Sequence, residues 1–380
     1  MVKLGDVVSF IGGSQPPKST FLYEPKKGFV RLLQIRDYKS DKNLTFIPEI
    51  STKKFCTKDD VMIGRYGPPV FQILQGLEGA YNVALMKAKP SEKVDRDYLY
   101  YFLKQDELFR LIDGLSQRTA GQSGIDMDAL KGYPMLLPPL DEQKRIAAIL
   151  DKADAIRRKR KQAIQLADDF LRSVFLDMFG DPVTNPKGWE VGTFLDICEL
   201  NPKASKHSDD TEVSFVPMPS VSVSSHLLDA SDIRLYSDVK KGFTSFFEND
   251  VLFAKITPCM ENGKAAIATG LKNNIGFGST EFHVFRPQDI RYAPYIYSLL
   301  HLPLFRKIAA NNFSGAVGHK RVPKDFLLSF ELMLPPKDLI SKFKNIFETV
   351  NDNKSKLDIY VVGGDELFNS LSQKAFAGKL

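Results

Sequence analysis

Five histidines, His207, His226, His283, His301 and His319, and three cysteines, Cys56, Cys198 and Cys259, are the side chains from which a proton shuttle, a thiol nucleophile or a transition-metal site would be built. Their spacing builds none of these. The cysteines lie too far apart for a zinc pattern and are odd in number for a disulfide framework, so they read as buried thiols. The histidines are scattered through the second half without paired spacing. No GxxxxGK[ST] phosphate loop, HExxH helix or CxxC pair occurs. The Asn-Pro-Pro-aromatic tetrad with which an amino-methyltransferase holds its target base is missing too, and Glu261-Asn262-Gly263-Lys264 reads as a turn. With no catalytic constellation, a binding scaffold is the expected class.

Binding residues are easier to nominate. Arg36 and Lys39, Arg65 and Lys255, the stretch Arg118-Thr119-Ala120-Gly121-Gln122-Ser123, and Asn312, Ser314, His319, Lys320 and Arg321 fall in polar segments between apolar runs. Arg, Lys, Gln, Asn and Ser are the types that grip phosphates or read base edges. The densest basic run is Arg157-Arg158-Lys159-Arg160-Lys161, although residues 141–180 carry nine positive and seven negative side chains, so the charge is a local patch. Over the whole chain 52 Lys and Arg stand against 46 Asp and Glu, a bias of +6 that permits a polyanionic partner without requiring one. Pro16-Pro17 and Pro68-Pro69 shape loops.

These candidates recur because the sequence is written twice. Asp6-Val7 is echoed by Asp196-Ile197, and Asp60-Val61-Met62-Ile63-Gly64-Arg65 by Asp250-Val251-Leu252-Phe253-Ala254-Lys255, both at an offset of 190. Tyr98-Leu99-Tyr100 answers to Tyr295-Ile296-Tyr297 at 197, Leu108-Phe109-Arg110 to Leu304-Phe305-Arg306 at 196, and Leu137-Pro138-Pro139 to Leu334-Pro335-Pro336 at 197. A period near 190 means two domains, since solenoid repeats run to about 50 residues. At 380 residues and 43% hydrophobic content, each half can bury its own core. Strands are expected at 29–35, 61–66, 81–86 and 282–285 from their Val, Ile, Phe and Tyr content. One helix per copy is expected at 97–112 and 293–310, which makes each domain mixed α and β.

After each Pro-Pro the pattern changes. Residues 141–179 contain no Gly or Pro, and Ile146, Ile149, Ala153, Ile156, Ala163, Ala167, Phe170 and Val174 form a heptad ladder broken at Arg160. Gly180-Asp181-Pro182 ends it. The second stretch gives Leu339, Phe343, Ile346, Val350, Leu357, Tyr360, Leu367 and Leu371, interrupted at Asn353 and Gly364. Gly363-Gly364 costs about 1 kcal/mol per Gly and invites a kink. Paired antiparallel, the two helices would hold the domains at opposite ends, and residues 141–178 would make a ruler of ~57 Å.

The run Leu137-Pro138-Pro139-Leu140-Asp141-Glu142-Gln143-Lys144-Arg145-Ile146-Ala147-Ala148-Ile149-Leu150 resembles the motif that opens the conserved helix of Type I restriction-modification specificity subunits. The resemblance covers essentially the whole chain. It implies an α+β fold of two duplicated mixed target-recognition domains, 1–136 and 188–334, separated by helical regions 137–187 and 335–380 that form an antiparallel coiled coil. The implied function is non-catalytic recognition of a bipartite double-stranded DNA target, one domain per half-site. Methyltransferase modification subunits and translocating, cutting restriction subunits would be the partners, with AdoMet, ATP and Mg bound only there and no cofactor or metal here. Glu142, Gln143 and Arg145 would contact those partners. The second copy reads Leu334-Pro335-Pro336-Lys337-Asp338-Leu339-Ile340 and lacks the Glu-Gln pair. A structural adaptor with two protein- or RNA-binding domains on the same coiled coil is the alternative, separable by salt-dependent duplex binding. Gly5 and Asp6 interrupt any signal-peptide core, and no apolar run approaches the ~18 residues of a membrane span, so a cytoplasmic location with no membrane contact is expected.

Overall fold

The computed structural model describes residues 1–67, 69–116, 124–315 and 320–380, with the backbone alone over 358–364. The chain forms two compact units, one of residues 1–161 with 359–380 and the other of residues 162–358.

In the first unit, one four-stranded sheet runs Val8–Gly12, Leu85–Pro90, Val61–Gly64, Gln72–Leu74, with every neighbour antiparallel. A second sheet runs Phe46–Pro48, Phe29–Leu33, Gly79–Tyr81, Phe55–Cys56, and its middle pair is parallel. Val61–Gly64 is buried along its whole length, which is why it reads as an unbroken apolar run. The second unit repeats both orders: Cys198–Leu200, Phe282–Pro287, Val251–Ala254, Ala265–Ile267 in one sheet, and Ile233–Leu235, Glu212–Val216, Ile275–Gly278, Thr244–Phe247 in the other. Here too the middle pair of the second sheet is parallel.

The repeated residues are scaffold residues. Asp6 and Asp196 each accept a backbone N–H three residues upstream, from Lys3 at 3.3 Å and Thr193 at 2.6 Å. Asp60 accepts from Thr57 N–H at 2.9 Å and Lys87 Nζ at 3.1 Å, while Asp250 accepts from Phe247 N–H at 2.7 Å and both forks of Arg286 at 3.0 and 2.7 Å. The Tyr98 and Tyr295 hydroxyls donate to the carbonyls of Leu136 and Met333, both at 2.8 Å. Each pair satisfies buried or turn-forming backbone that would otherwise lack a partner.

Several expectations are corrected. Residues 81–86 are the end of one strand and the start of another in a different sheet, because Asn82 turns the chain and its side chain accepts from Ala84 N–H at 3.1 Å. Each expected helix is two: Arg96–Leu103 and Asp106–Ser116, and Tyr292–His301 and Pro303–Asn311. Leu302, placed before a proline, is extended at φ −61°, ψ 130°, and Gln105 turns its amide back onto the Phe102 carbonyl. At the offset of 197 shared by the tyrosines, Leu108 corresponds to Phe305 and both are fully buried, so the match at 196 is out of register by one residue.

Two helices of 40 residues, Leu140–Phe179 and Lys337–Phe376, follow the domains. Within the first unit Arg145 reaches the Leu380 carbonyl at 3.1 Å and Arg157 reaches Asp365 at 3.4 Å. Within the second, Lys354 bonds Asp168 at 2.5 Å and the Phe175 and Phe343 rings lie 5.6 Å apart. Numbers rise on one helix as they fall on the other, so the pairing is antiparallel in both units. The backbone stays helical through Gly363 and Gly364.

The expected ladder holds in part. Ile146 and Phe343 are buried, and Ala153, Val174, Leu339, Ile346, Val350 and Leu371 pack against the cores, but Ile156, Phe170 and Leu367 are 48%, 52% and 59% exposed. The buried seam also carries Leu150, Asp154, Leu171 and Phe175 on one helix and Ile340, Phe347, Lys354 and Phe368 on the other. Hydrophobic spacing alone misses its centre because that part is ionic: Asp154 bonds Arg157 at 2.5 Å, and Lys354 bonds Asp168 and the Ser224 carbonyl. Replacing Leu150 by Ala is expected to cost about 2 to 5 kcal/mol, whereas Ile156→Ala should cost under about 1 kcal/mol. Denaturant midpoints of the two variants, compared at equal m-values, check this ordering.

Candidate nucleic-acid interface

In the second unit the strand Val251–Ala254 delivers Lys255 to its end, where three backbone bonds gather the other candidates. Lys255 N–H donates to the Glu281 carbonyl and Val322 N–H to the Lys255 carbonyl, both at 2.9 Å, and Thr257 N–H donates to the Lys320 carbonyl at 3.0 Å. Ser314 and Arg321 exchange N–H···O bonds at 3.0 and 2.9 Å. The Arg321 guanidinium grips Glu281 in a fork at 2.8 and 2.7 Å, holding that carboxyl below its usual range. Lys255, Ser314, Lys320 and Arg321 therefore share one surface, with Ser314 and Lys320 exposed. Asn312 is exposed but spends its amide on the Ile308 carbonyl at 2.9 Å, closing the preceding helix.

His283, buried beneath, ties this surface to the sheet. The Asn201 oxygen accepts from Val284 N–H, so its amide nitrogen donates to His283 Nδ1 at 3.0 Å. Nε2–H is then the donor to the Val322 carbonyl at 2.9 Å, which fixes a single neutral tautomer. Burial first, and the cations Lys255 and Lys324 next, hold its pKa down to about 4. Asn201 and Glu281 do not stand out in the sequence, and His283 does so only as one of five scattered histidines, since their partners lie 39 to 83 residues away.

In the first unit Arg65 follows the equivalent strand. Its N–H donates to the Ala84 carbonyl at 2.9 Å and its guanidinium lies 5.3 Å from the Tyr66 ring centre. A Cβ on Gly64 would stand 3.2 Å from Ile35 Cδ1, and this close approach brings the turn Ile35–Tyr38, with exposed Arg36, beside the strand end. Arg36 donates weakly to the Asn43 carbonyl at 3.4 Å, and Lys39 is exposed just after the turn. Arg118, Thr119, Gln122, Ser123 and His319 lie outside the described residues.

Within the basic run on the first long helix, Arg157, Arg158 and Lys161 are paired with acids. Arg157 bonds Asp154 and Asp365 and lies 4.6 Å from the Phe368 ring centre, so it packs the helices together. Arg158 pairs with Asp154 at 3.4 Å and Asp151 at 3.8 Å, and Lys161 with Asp365 at 3.2 Å. The exposed pairs, Arg158 with Asp151 and Lys161 with Asp365, stabilise little individually. Together the pairings place acids beside the cations, one of them 208 residues away in sequence.

The expected partner-facing trio divides. Gln143 is fully buried: its oxygen accepts from Asp95 N–H at 2.8 Å, and its nitrogen donates to the carbonyls of Lys93 at 2.9 Å and Pro138 at 2.8 Å. It staples the long helix to the domain and has no surface to offer a partner, a correction. Ile340, equally buried, takes the corresponding place in the second copy, which explains the missing Glu-Gln there. Glu142 and Arg145 form an exposed fork at 2.8 and 2.7 Å. Gln143→Ala strands three buried polar groups, and a loss of about 2 to 4 kcal/mol is expected in denaturant unfolding.

Two units of one mixed topology, each with a cation at the end of its central strand, define a duplicated α+β protein. The chain belongs to the family of Type I restriction modification DNA specificity domains, which it matches over residues 1–166 and 186–357. Among its relatives, the Type I restriction enzyme EcoAI specificity subunit of Escherichia coli is 38% identical over 218 residues, 55% of this chain and 35% of that protein. The EcoEI specificity subunit of Escherichia coli is 34% identical over the same shares. The alignments thus span about a third of the length of these relatives. A crystal structure of the S subunit of a Type-I restriction-modification system from M. genitalium shares the fold, with TM-score 0.60 at 13% identity over 99% of this chain and 95% of that one. Among the described residues no helix is long and apolar enough to cross a membrane.

Proposed function

We propose that this chain is the non-catalytic DNA-reading subunit of a Type I restriction-modification complex and recognises a bipartite duplex target, with residues 1–136 and 188–334 each reading one half-site. The supporting observation is the twofold recurrence of one sheet order whose central strand ends in a cation, Arg65 in one unit and Lys255 in the other. Phosphate contacts from such residues position a protein on DNA, and base-edge contacts from neighbouring polar side chains carry the specificity. Regions 137–187 and 335–380 supply the helical scaffold. Methyltransferase and translocase/endonuclease subunits would dock on this chain and hold AdoMet, ATP and Mg, leaving it cofactor-free. Exposed Glu142 and Arg145 remain available for such docking.

Genome methylation mapping in cells that carry this chain with its cognate modification subunit should return a split motif. A continuous motif, or purified chain that ignores duplex DNA at low salt, overturns the reading. Lys320→Ala or Arg321→Ala should weaken the second half-site. If the side chain holds a phosphate, affinity falls across all sequences and the salt slope drops by about one per contact. If it reads a base, preference at one position relaxes by roughly 1 to 3 kcal/mol.

A further inference from the structure

A cavity of 290 Å³ lies wholly within the unit of residues 162–358. Its charged lining is lopsided, with Arg172, Arg306 and Lys354 against Asp168. Lys354, 5% exposed, bonds Asp168 at 2.5 Å and the Ser224 carbonyl at 2.6 Å, and Arg172 bonds Asp169. Arg306 has no such neutralisation among the described residues. Its Nη1 donates only to the Glu261 carbonyl at 3.2 Å, and its Nε is buried without an acceptor. A guanidinium with a buried, unpaired Nε and no carboxylate, next to a second arginine, is stabilised by a nearby anion. Burial and the nearby Arg172 charge already push its pKa down.

The remaining walls are mixed, with polar Gln165, Ser298 and Asn351 beside aromatic and apolar side chains. Phe175, Tyr297 and Phe347 are buried along the lining, and the Tyr297 ring lies 4.3 Å from that of His301. Leu302 and Pro303, at the start of the helix Pro303–Asn311, complete the wall. Arginine forks match phosphate oxygens, and flat aromatic walls match a planar body. The volume lies just below the ~300 to 1,000 Å³ of ligand pockets, so only a small ligand fits.

We propose that this cavity is a binding site for a small phosphomonoester on a flat body, of nucleoside-monophosphate type, with Arg306 and Arg172 as phosphate ligands and Tyr297 and Phe347 along the body. The site is separate from the DNA-reading surface and does not depend on that assignment. Calorimetric titration of the full chain with AMP, inorganic phosphate and adenosine tests it. AMP should bind with a dissociation constant below 1 mM, and phosphate and adenosine each at least about tenfold more weakly. R306Q, and independently R172Q in case the first fails to fold, should weaken AMP at least about tenfold, while K344Q, which removes a charge outside the cavity lining, should leave it unchanged. Undetectable AMP binding at about 5 mM, equal weakening by K344Q, or unaltered binding in whichever of R306Q and R172Q folds overturns the proposal.

Discussion

Acidification from pH 7 to 4.5 should unfold the unit of residues 162–358 while the unit of residues 1–161 and 359–380 keeps its structure. Four of the five histidines are described, all in the second unit, and the first unit contains none. Burial pushes three of them down: His226 and His283 to about 4 and His301 to about 3, with neighbouring cations adding to the effect. His226 packs on Phe347 at 5.2 Å, and His301 on Tyr297. A base whose folded pKa lies below its unfolded value of 6.5 lets the unfolded chain take protons first. Its contribution is complete above pH 6.5 and drains as pH falls toward 4. Each histidine then removes about 1.4 kcal/mol per pH unit, and three together about 4 kcal/mol, an amount that rivals the whole stability of a domain within two pH units.

The carboxylates do not reverse this. In the first unit burial raises Asp37, so its protonation favours the folded state as pH falls. Asp60, held down against its burial by Thr57 and Lys87, and Glu142, held down by Arg145, lose their contribution only as pH falls through the carboxylate range and below, under the histidine window. Asp250 in the second unit acts as Asp37 does, but near the carboxylate range, below the histidine window. Trp189, the single tryptophan, donates Nε1–H to the Phe179 carbonyl at 2.9 Å and packs on the second unit's core, so its fluorescence reports that unit alone. A Trp189 signal that stays native to pH 4.5, or a first unit that melts earlier, would sink the expectation. H226F with H301F should move the transition to lower pH.

What the sequence displays and what it conceals follow different physics. The duplication is legible because the repeated residues, Asp60 and Asp250 or Tyr98 and Tyr295, satisfy the same backbone groups in both copies and tolerate little change of type. The long helices are legible from the absence of Gly and Pro over 141–179. Their contact face is legible only in part, because Asp154 and Lys354 are buried by pairing, and a search for apolar spacing passes over them to the exposed Ile156 and Phe170. The same limit applies to the candidate interface. Lys255 and Arg321 are nameable by type, but their meeting depends on strand pairing between Ile256 and Arg321 and on the buried Asn201–His283 link. Gln143 shows the reverse error, a residue conspicuous in a family-like motif whose role here is internal.

The last expectation concerns exchange of the first domain, and its outcome rests on the proposed division of the target. Separate sites that share no partners contribute additively, so replacing residues 1–136 by the first domain of another family member should rewrite one half of the split motif and leave the other half and the gap intact. The fold adds a condition to this experiment. The first unit's core contains Phe368, Leu371, Ala375 and Phe376 from the far end of the chain. Tyr98 and Phe102 meet Phe376 at 5.3 and 5.4 Å between ring centres, and Tyr101 meets Phe368 at 6.1 Å. A donor domain with small residues at those three positions would leave cavities costing about 3 to 5 kcal/mol per lost ring. Exchanging residues 359–380 from the same donor along with 1–136 should restore stability without changing which half-site is rewritten. Methylation mapping reads the motif, and a denaturant melt separates misfolding from altered recognition. If the stable chimera changes both halves of the motif, independent reading by the two domains is wrong.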